Sequence, residues 1–274
     1  MTDERLSFGG VADRYDLARP GYPREAAEWL AGPRPARVLE LGAGTGKLTE
    51  TMVGLGHEVL ATDPDERMLH RLVVRVPDAH ACTGTAERIP ARSRSVDAVV
   101  VAQAFHWFDH PVAVPEIARV LRPGGVLAMV WNHTDESIPW VRRLGALIGR
   151  QDHQLDPVQA LRTFSQFGFI DERSFRHWHT VNRRGLLDLV ASRSNIAVLP
   201  EAERAKVMDQ VSALYDDYGR GHDGMRLPYV SRCYRTVVQQ QDPEPEDPAQ
   251  PEKTDPPKDQ AEPEDPGTLL IDFH

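Results

Sequence analysis

Two carboxylates and three glycines make up the most chemically loaded stretch of the chain. Glu40-Leu41-Gly42-Ala43-Gly44-Thr45-Gly46 follows an apolar run and precedes an amphipathic one. Glycines at alternate positions let a backbone turn sharply and approach a ligand closely, and the start of the following helix aims its free N–H groups at that ligand. Two ligand classes use such a turn. A dinucleotide site favours GxGxxG, with the third glycine allowing the helix to pack on the strand beneath a pyrophosphate. Here the spacing is GxGxG, Lys47 stands where that third glycine would fall, and Glu40 precedes the first glycine by two positions.

A carboxylate at position 40 opposes a diphosphate and suits an amino-acid ammonium group. The second carboxylate, Asp63, ends the next apolar run, 21 residues after Gly42. A carboxylate so placed can accept hydrogen bonds from both hydroxyls of a ribose, a feature shared by both ligand classes. Together, Glu40 and Asp63 around this turn favour a nucleoside that carries an ammonium and no phosphate. S-adenosyl-L-methionine fits that description.

The elements that must position these groups alternate between short apolar runs and amphipathic stretches, the pattern of parallel strands joined by crossover helices. Residues 37–42, 58–63, 79–83, 96–104 and 125–131 read as strands, and their unbroken hydrophobicity predicts burial on both faces. Residues 45–54, 64–75 and 111–121 read as helices, with Pro64 and Pro111 near two of the starts, where a missing N–H costs little. The expected fold is α/β, a Rossmann-like, seven-stranded and mostly parallel sheet with helices on both faces. Beyond Asn132, helices are expected near 137–150, 156–166, 183–193 and 200–218, as an inserted helical lid. Strands at Phe175–Val181 and Leu227–Val238 would complete the sheet. The expected division is a cofactor-capping leader over 1–36, a core over 37–132, a substrate-side insertion with the last two strands over 133–240, and a tail over 241–274.

Charge locates the tail. Of the 274 residues, 242–265 hold ten acids against two lysines, and Asp272 accounts for the rest of the net charge of −9. This Pro- and acid-rich stretch has almost no apolar residue to offset ordering entropy, so disorder is expected there. The remaining body is neutral, offers no basic stripe for phosphate neutralisation, and argues against nucleic acid as a partner. Cys82 and Cys233 are far apart and neither has a partner at metal-ligand spacing, so no metal is expected and a reducing, cytoplasmic setting is. No apolar run approaches the roughly 20 residues of a membrane span, and the first residues have no apolar core of a signal peptide. Nothing in the chain signals an oligomeric state.

Five segments in order, VLELGAGTGKLT, ATDPDERML, GTAERIP, VDAVVVAQAFHWFD and VLRPGGVLAMVW, resemble the class I S-adenosylmethionine-dependent methyltransferases. The resemblance covers residues 8–132, about half the chain, and its specificity lies in the order and spacing of the set. It implies that Gly42, Ala43, Gly44 and Gly46 lie under the methionine part, that Asp63 holds the ribose and that Pro64 lies near the adenine. Thr85, Ala86 and Glu87 would contact adenine, and Gln103 and Ala104 would line the methionyl side. Upstream, Phe8, Tyr15 and Arg19-Pro20-Gly21-Tyr22-Pro23 resemble the leader of the trans-aconitate methyltransferase-like subgroup. From that leader Arg19 would clamp the cofactor carboxylate and Tyr15 would cover the sulfonium.

Methyl transfer from a sulfonium needs placement more than acid or base. The aromatic turn Phe105-His106-Trp107-Phe108 follows the fourth strand, where a dry acceptor pocket belongs. His106 is the candidate general base, and the alternative is a structural histidine in that turn. Arg193 and Arg226 are candidates for meeting an acidic acceptor. Asp97 and Arg122-Pro123-Gly124-Gly125 read as strand-entry and turn residues. His177 and His179 read as packing residues. The expected activity is methylation of a small molecule, at carboxylate or hydroxyl oxygen. Two other readings share the sheet: an NAD-dependent oxidoreductase and a catalytically silent nucleoside-binding protein.

Overall fold

The computed structural model describes residues 19–32, 35–149, 157–219 and 224–239. The expectations for Phe8, for Tyr15 and for the acidic tail lie outside these residues. One seven-stranded sheet organises the chain, with strand order β3-β2-β1-β4-β5-β7-β6. The strands are β1 (Arg37–Leu41), β2 (Glu58–Asp63), β3 (His80–Thr83), β4 (Val96–Ala102), β5 (Leu121–Thr134), β6 (Phe167–Val181) and β7 (Met225–Val238). All pairings from β3 to β5 are parallel, and β7 runs antiparallel to both β5 and β6.

Buried apolar positions alternate across the strands and hold helices against both faces. On one face, α1 (Arg24–Ala31) and α2 (Lys47–Gly54) set Ala26, Leu30, Leu48 and Met52 on Val38, Ala98, Val100 and Val130. On the other, α4 (His110–Val120) sets Val114 and Ile117 on Leu39, Val99 and Leu127. Between them in sequence, α3 (Glu66–Arg75) covers Ala61 with Leu69 and Leu72. The Asp65 side chain accepts from the Arg67 N–H at 2.9 Å and fixes the start of α3.

The insertion forms a second apolar body against the long β6–β7 pair. Helices α5 (Pro139–Ile148), α7 (Arg183–Ala191) and α9 (Glu201–Tyr218) gather Val141, Leu144, Leu186, Val190, Val211 and Leu214 onto Leu227 and Tyr229 of β7. Short α6 (Pro157–Leu161) and α8 (Ser194–Ala197) complete the set. The expected helix over 156–166 therefore stops early, and β6 begins eight residues before its expected start. Its exposed, polar-rich amino half hides the strand period from the sequence. The fifth strand also exceeds its expected bounds: Leu121 pairs with Val96, and Val126 with Ala98, across the Arg122–Gly125 turn.

Candidate functional site

The carboxyl ends of β1, β2 and β4 meet around the glycine turn. All three glycines have left-handed backbones, with φ of 68° at Gly42, 56° at Gly44 and 83° at Gly46, a region that penalises any side chain. The space around them differs. A Cβ at Gly42 would fall 2.6 Å from the Ala104 Cβ, and one at Gly46 would fall 2.7 Å from Leu72 Cγ, so these two allow strand and helix to close. A Cβ on Gly44 would meet nothing within 4 Å. The middle glycine thus faces open space above the turn, as a ligand floor requires.

Asp63 closes the turn from the neighbouring strand. Its Oδ2 accepts from the Gly44 N–H at 2.9 Å and its Oδ1 from the Asp65 N–H at 2.9 Å. Burial raises the Asp63 carboxyl above its ordinary value, against the opposing pull of those two N–H groups. Beneath the turn, Glu40 is 1% exposed, and its Oε2 accepts from Thr49 Oγ1 at 2.6 Å. Burial, reinforced by Asp63, pushes Glu40 up to about 8, with the Thr49 bond pulling the other way. An ammonium brought near Glu40 would stabilise the charged form. The group beneath the turn is therefore a carboxyl that an aminoacyl cation would help to ionise.

At the end of β4, Gln103 holds a left-handed φ of 59°, rare for a side-chain-bearing residue, and its N–H donates to the Val130 carbonyl at 2.9 Å. Such strain is maintained where surrounding structure fixes it, commonly at ligand sites. Ala104 follows at half burial, in contact distance of the glycine turn. After it, a short 3-10 turn, Phe105–Trp107, buries Phe105 and leaves His106 half-buried, with its ring centroid 4.7 Å from that of Trp107. Phe105 and Phe108 pack edge to face at 5.8 Å.

The remaining expected contacts spread around this centre. Pro64 is exposed beside Asp63. In the loop after β3, Thr85 is exposed, and Ala86 is buried in the core. Glu87 Oε1 accepts from the Asp109 N–H at 2.9 Å, bracing the loop before α4. Arg19 is half-buried, two residues before Gly21, whose carbonyl accepts from Asn132. Arg226 packs over exposed Trp178 at 5.0 Å, away from this group. Asp97 sits at the amino edge, accepting from the Arg37 N–H at 2.8 Å and from Arg122 Nη1 at 2.6 Å.

Asn132, which the sequence reading passed over, is a buried junction. Its Nδ2 donates to the Gly21 carbonyl at 3.1 Å, and its Oδ1 accepts from Ser231 Oγ at 2.6 Å and lies 3.4 Å from His177 Nε2. The signal was an amide closing an otherwise apolar strand, VLAMVWN. His177 and His179 pack on Tyr229, at ring distances of 5.6 and 6.3 Å. Among the described residues there is no cluster of three or more metal-ligating side chains, and no helix is long and apolar enough to cross a membrane.

Comparison with known proteins agrees with this geometry. A methyltransferase-domain family model matches residues 39–129, the span from β1 to β5. An uncharacterized methyltransferase of Mycobacterium tuberculosis is 44% identical over 239 residues, covering 86% of this chain and 97% of the relative. A malonyl-[acyl-carrier protein] O-methyltransferase of Methylococcus capsulatus is 40% identical over 135 residues, 45% of this chain and 49% of that protein. Among solved structures, one described as a type II methyltransferase of Anaeromyxobacter dehalogenans superposes with a TM-score of 0.59 at 25% identity, covering 80% of this chain and 97% of the other. These relationships set aside the oxidoreductase reading. With its glycine turn, its two carboxylates and relatives matched nearly end to end, the chain belongs to the class I S-adenosylmethionine-dependent methyltransferases.

Proposed function

We propose that the protein methylates an oxygen of a small acidic molecule, with a carboxylate as the preferred acceptor. The observation that carries this reading is the apolar turn Phe105–Phe108, set directly after the strained Gln103 at the end of β4. A carboxylate and a sulfonium cancel charge as they react, so a dry wall at that point favours the transition state over the separated ions. The similarity to a malonyl O-methyltransferase, confined to the shared core, supports the same chemistry.

Bound above the glycine turn, S-adenosylmethionine would supply an activated methyl group on a sulfonium to an oxygen lone pair of the acceptor. The protein's residues supply placement. Gly42, Ala43, Gly44 and Gly46 form the floor, Glu40 lies beneath the ammonium, and Asp63 accepts from the ribose with lone pairs left by its two backbone bonds. The backbone of Thr85 and Ala86, with Glu87 bracing it and Pro64 opposite, borders the adenine. Gln103 and Ala104 border the methionyl chain, and Arg19 covers it from the leader. Holding nucleophile and methyl in line can lower the barrier by about 7 kcal/mol or more.

The test is incubation with methyl-labelled donor and a metabolite extract, followed by treatment with mild base. Label released as methanol marks an ester and supports carboxylate methylation. Base-stable label in every product sinks that reading.

A further inference from the structure

The two edges of the sheet are built differently. β3 closes one edge with four residues, whereas β6 closes the other with 15. An edge strand presents a row of unpaired N–H and C=O groups, which folds usually blunt with shortness, proline, lysine or a bulge. β6 contains no proline and no lysine, and its register against β7 shifts only at its start, between Phe167 and Ile170. From Ile170 to Val181 the register is unbroken. Trp178 lies on this open strand with 53% of its surface exposed.

Side chains along the regular stretch fall on two faces. Ile170 packs with the apolar cluster around Val99 and Phe105, so Glu172, Ser174, Arg176 and Trp178 share its face at alternate positions. Phe175 packs with the cluster beneath α1, so Arg173 shares that opposite face. Glu172, Arg173, Ser174 and Arg176 are all exposed. Arg176 Nε comes no nearer than 3.6 Å to Asp135 Oδ2, and its side chain is 78% exposed, so the guanidinium keeps donors for another carboxylate.

A second copy of β6, brought up antiparallel by a two-fold axis normal to the sheet, keeps each side chain on its own face. Residues equidistant from the axis then stand opposite each other. With the axis at Ser174, Glu172 meets the partner's Arg176, and Ile170 meets the partner's Trp178. On the other face, Arg173 meets the partner's Phe175 ring. Each is a favourable cross-strand pair, and the symmetry makes each of them twice. Moving the axis by one residue destroys the match. At Arg173 it sets two like charges against each other, and at Phe175 it sets Glu172 against Trp178 and Arg173 against His177. We propose that β6 is the interface of a homodimer, in which two sheets join edge to edge across a two-fold axis at Ser174. The paired run from Ile170 to Trp178 spans roughly 30 Å. The glycine turn follows β1, with β4, β5 and β7 between that strand and β6, so dimerisation leaves both cofactor floors uncovered.

Sedimentation velocity on the full-length protein at tens of micromolar is expected to give twice the mass of one chain. Glu172→Arg and Arg176→Glu each place like charges opposite each other at both ends of the pair. Each variant alone should sediment as a monomer and bind S-adenosylhomocysteine as the wild type does. Mixed in equal amounts, the two variants regain opposite charges at every such contact and should recover the dimer, a result that misfolded chains cannot give. Ser174→Cys puts two thiols across the axis at a Cα separation of about 4.5 to 5.5 Å, and mild oxidation should link them. Asp171→Cys, about 20 Å from its copy, should not cross-link. A monomeric wild type, a dimer undisturbed by either charge reversal, no recovery on mixing, or equal cross-linking of the two cysteine variants each overturns the proposal.

Discussion

The Gly44 N–H donates to Asp63 Oδ2 at 2.9 Å, so the carboxylate that ends β2 holds the middle of the turn that follows β1. One side chain thereby shapes the cofactor floor and presents its remaining lone pairs above it. Asp63→Ala removes both actions. Its affinity for S-adenosylhomocysteine should fall by about 1.5 to 3 kcal/mol, the range for hydrogen bonds involving a charged group. Isothermal calorimetry checks this, and unchanged affinity would exclude Asp63 from the site.

The glycines separate folding from binding. Gly42→Ala drives a Cβ to 2.6 Å from Ala104 and should lower the melting temperature by several degrees or prevent folding. Gly44→Ala meets no protein atom, so its cost is the left-handed backbone alone, about 1 to 2 kcal/mol. Its new methyl group occupies ligand space, and binding of S-adenosylhomocysteine should be lost from a protein that still melts cooperatively. Retained binding in Gly44→Ala would place the ligand elsewhere.

Glu40 couples binding to protons. With its pKa raised from 4.5 to about 8, it is mostly protonated at pH 7, and an approaching ammonium favours the carboxylate. Donor binding at pH 7 should therefore release a proton, and affinity should rise as pH climbs toward 8. Calorimetry in buffers of different ionisation enthalpy reads that proton, which Glu40→Gln should abolish. Stability has the opposite slope. Below pH 4.5 Glu40 is neutral in both folded and unfolded chains, and the cost of holding it folded grows as pH rises toward 8. Glu40→Gln should therefore raise the melting temperature of the ligand-free protein at pH 8 more than at pH 5. Equal shifts at both values would contradict the assigned pKa.

Asn132 should act on the donor through the leader. Asn132→Ala removes the bond to Gly21, two residues after Arg19, and should weaken S-adenosylhomocysteine by about 1 kcal/mol. Arg19→Ala should weaken it as well. If the clasp works by presenting Arg19, the double variant loses less than the two single losses combined. Additive losses would assign Asn132 to general stability alone.

His106 tests the need for a base. His106→Ala should cost tenfold or more in turnover if it deprotonates a hydroxyl. Carboxylate acceptors are already ionised, so the carboxylate reading predicts less than a threefold change across neutral pH. Steady-state rates with the identified acceptor decide between them.

Much of the core was legible because its signals are local. The four amino-proximal strands matched their expected positions within two residues, although edge strand β3 is exposed to half-buried and so departs from the expected burial on both faces, and GxGxG needs only a left-handed backbone at three neighbouring sites. The second half was less legible. The start of β6 was missed because that strand is at the sheet edge and exposes Phe169 along with its polar neighbours, which erases the alternation that marks a half-buried strand. Arg226 lies 5.0 Å over the exposed Trp178 ring, a choice of rotamer and register that composition does not encode.

The sequence by itself determined the class of fold, the glycine turn and the donor it holds, because strand hydrophobicity, helix starts and positive-φ glycines are properties of consecutive residues. Tertiary structure decided the ionisation of Glu40, which follows from burial beneath α2 and from Asp63 on the next strand. It also decided the junction at Asn132, whose partners are 111, 99 and 45 residues away. Those contacts depend on β7 inserting antiparallel between β5 and β6. Such long-range pairing leaves no periodic trace in any short window of the chain.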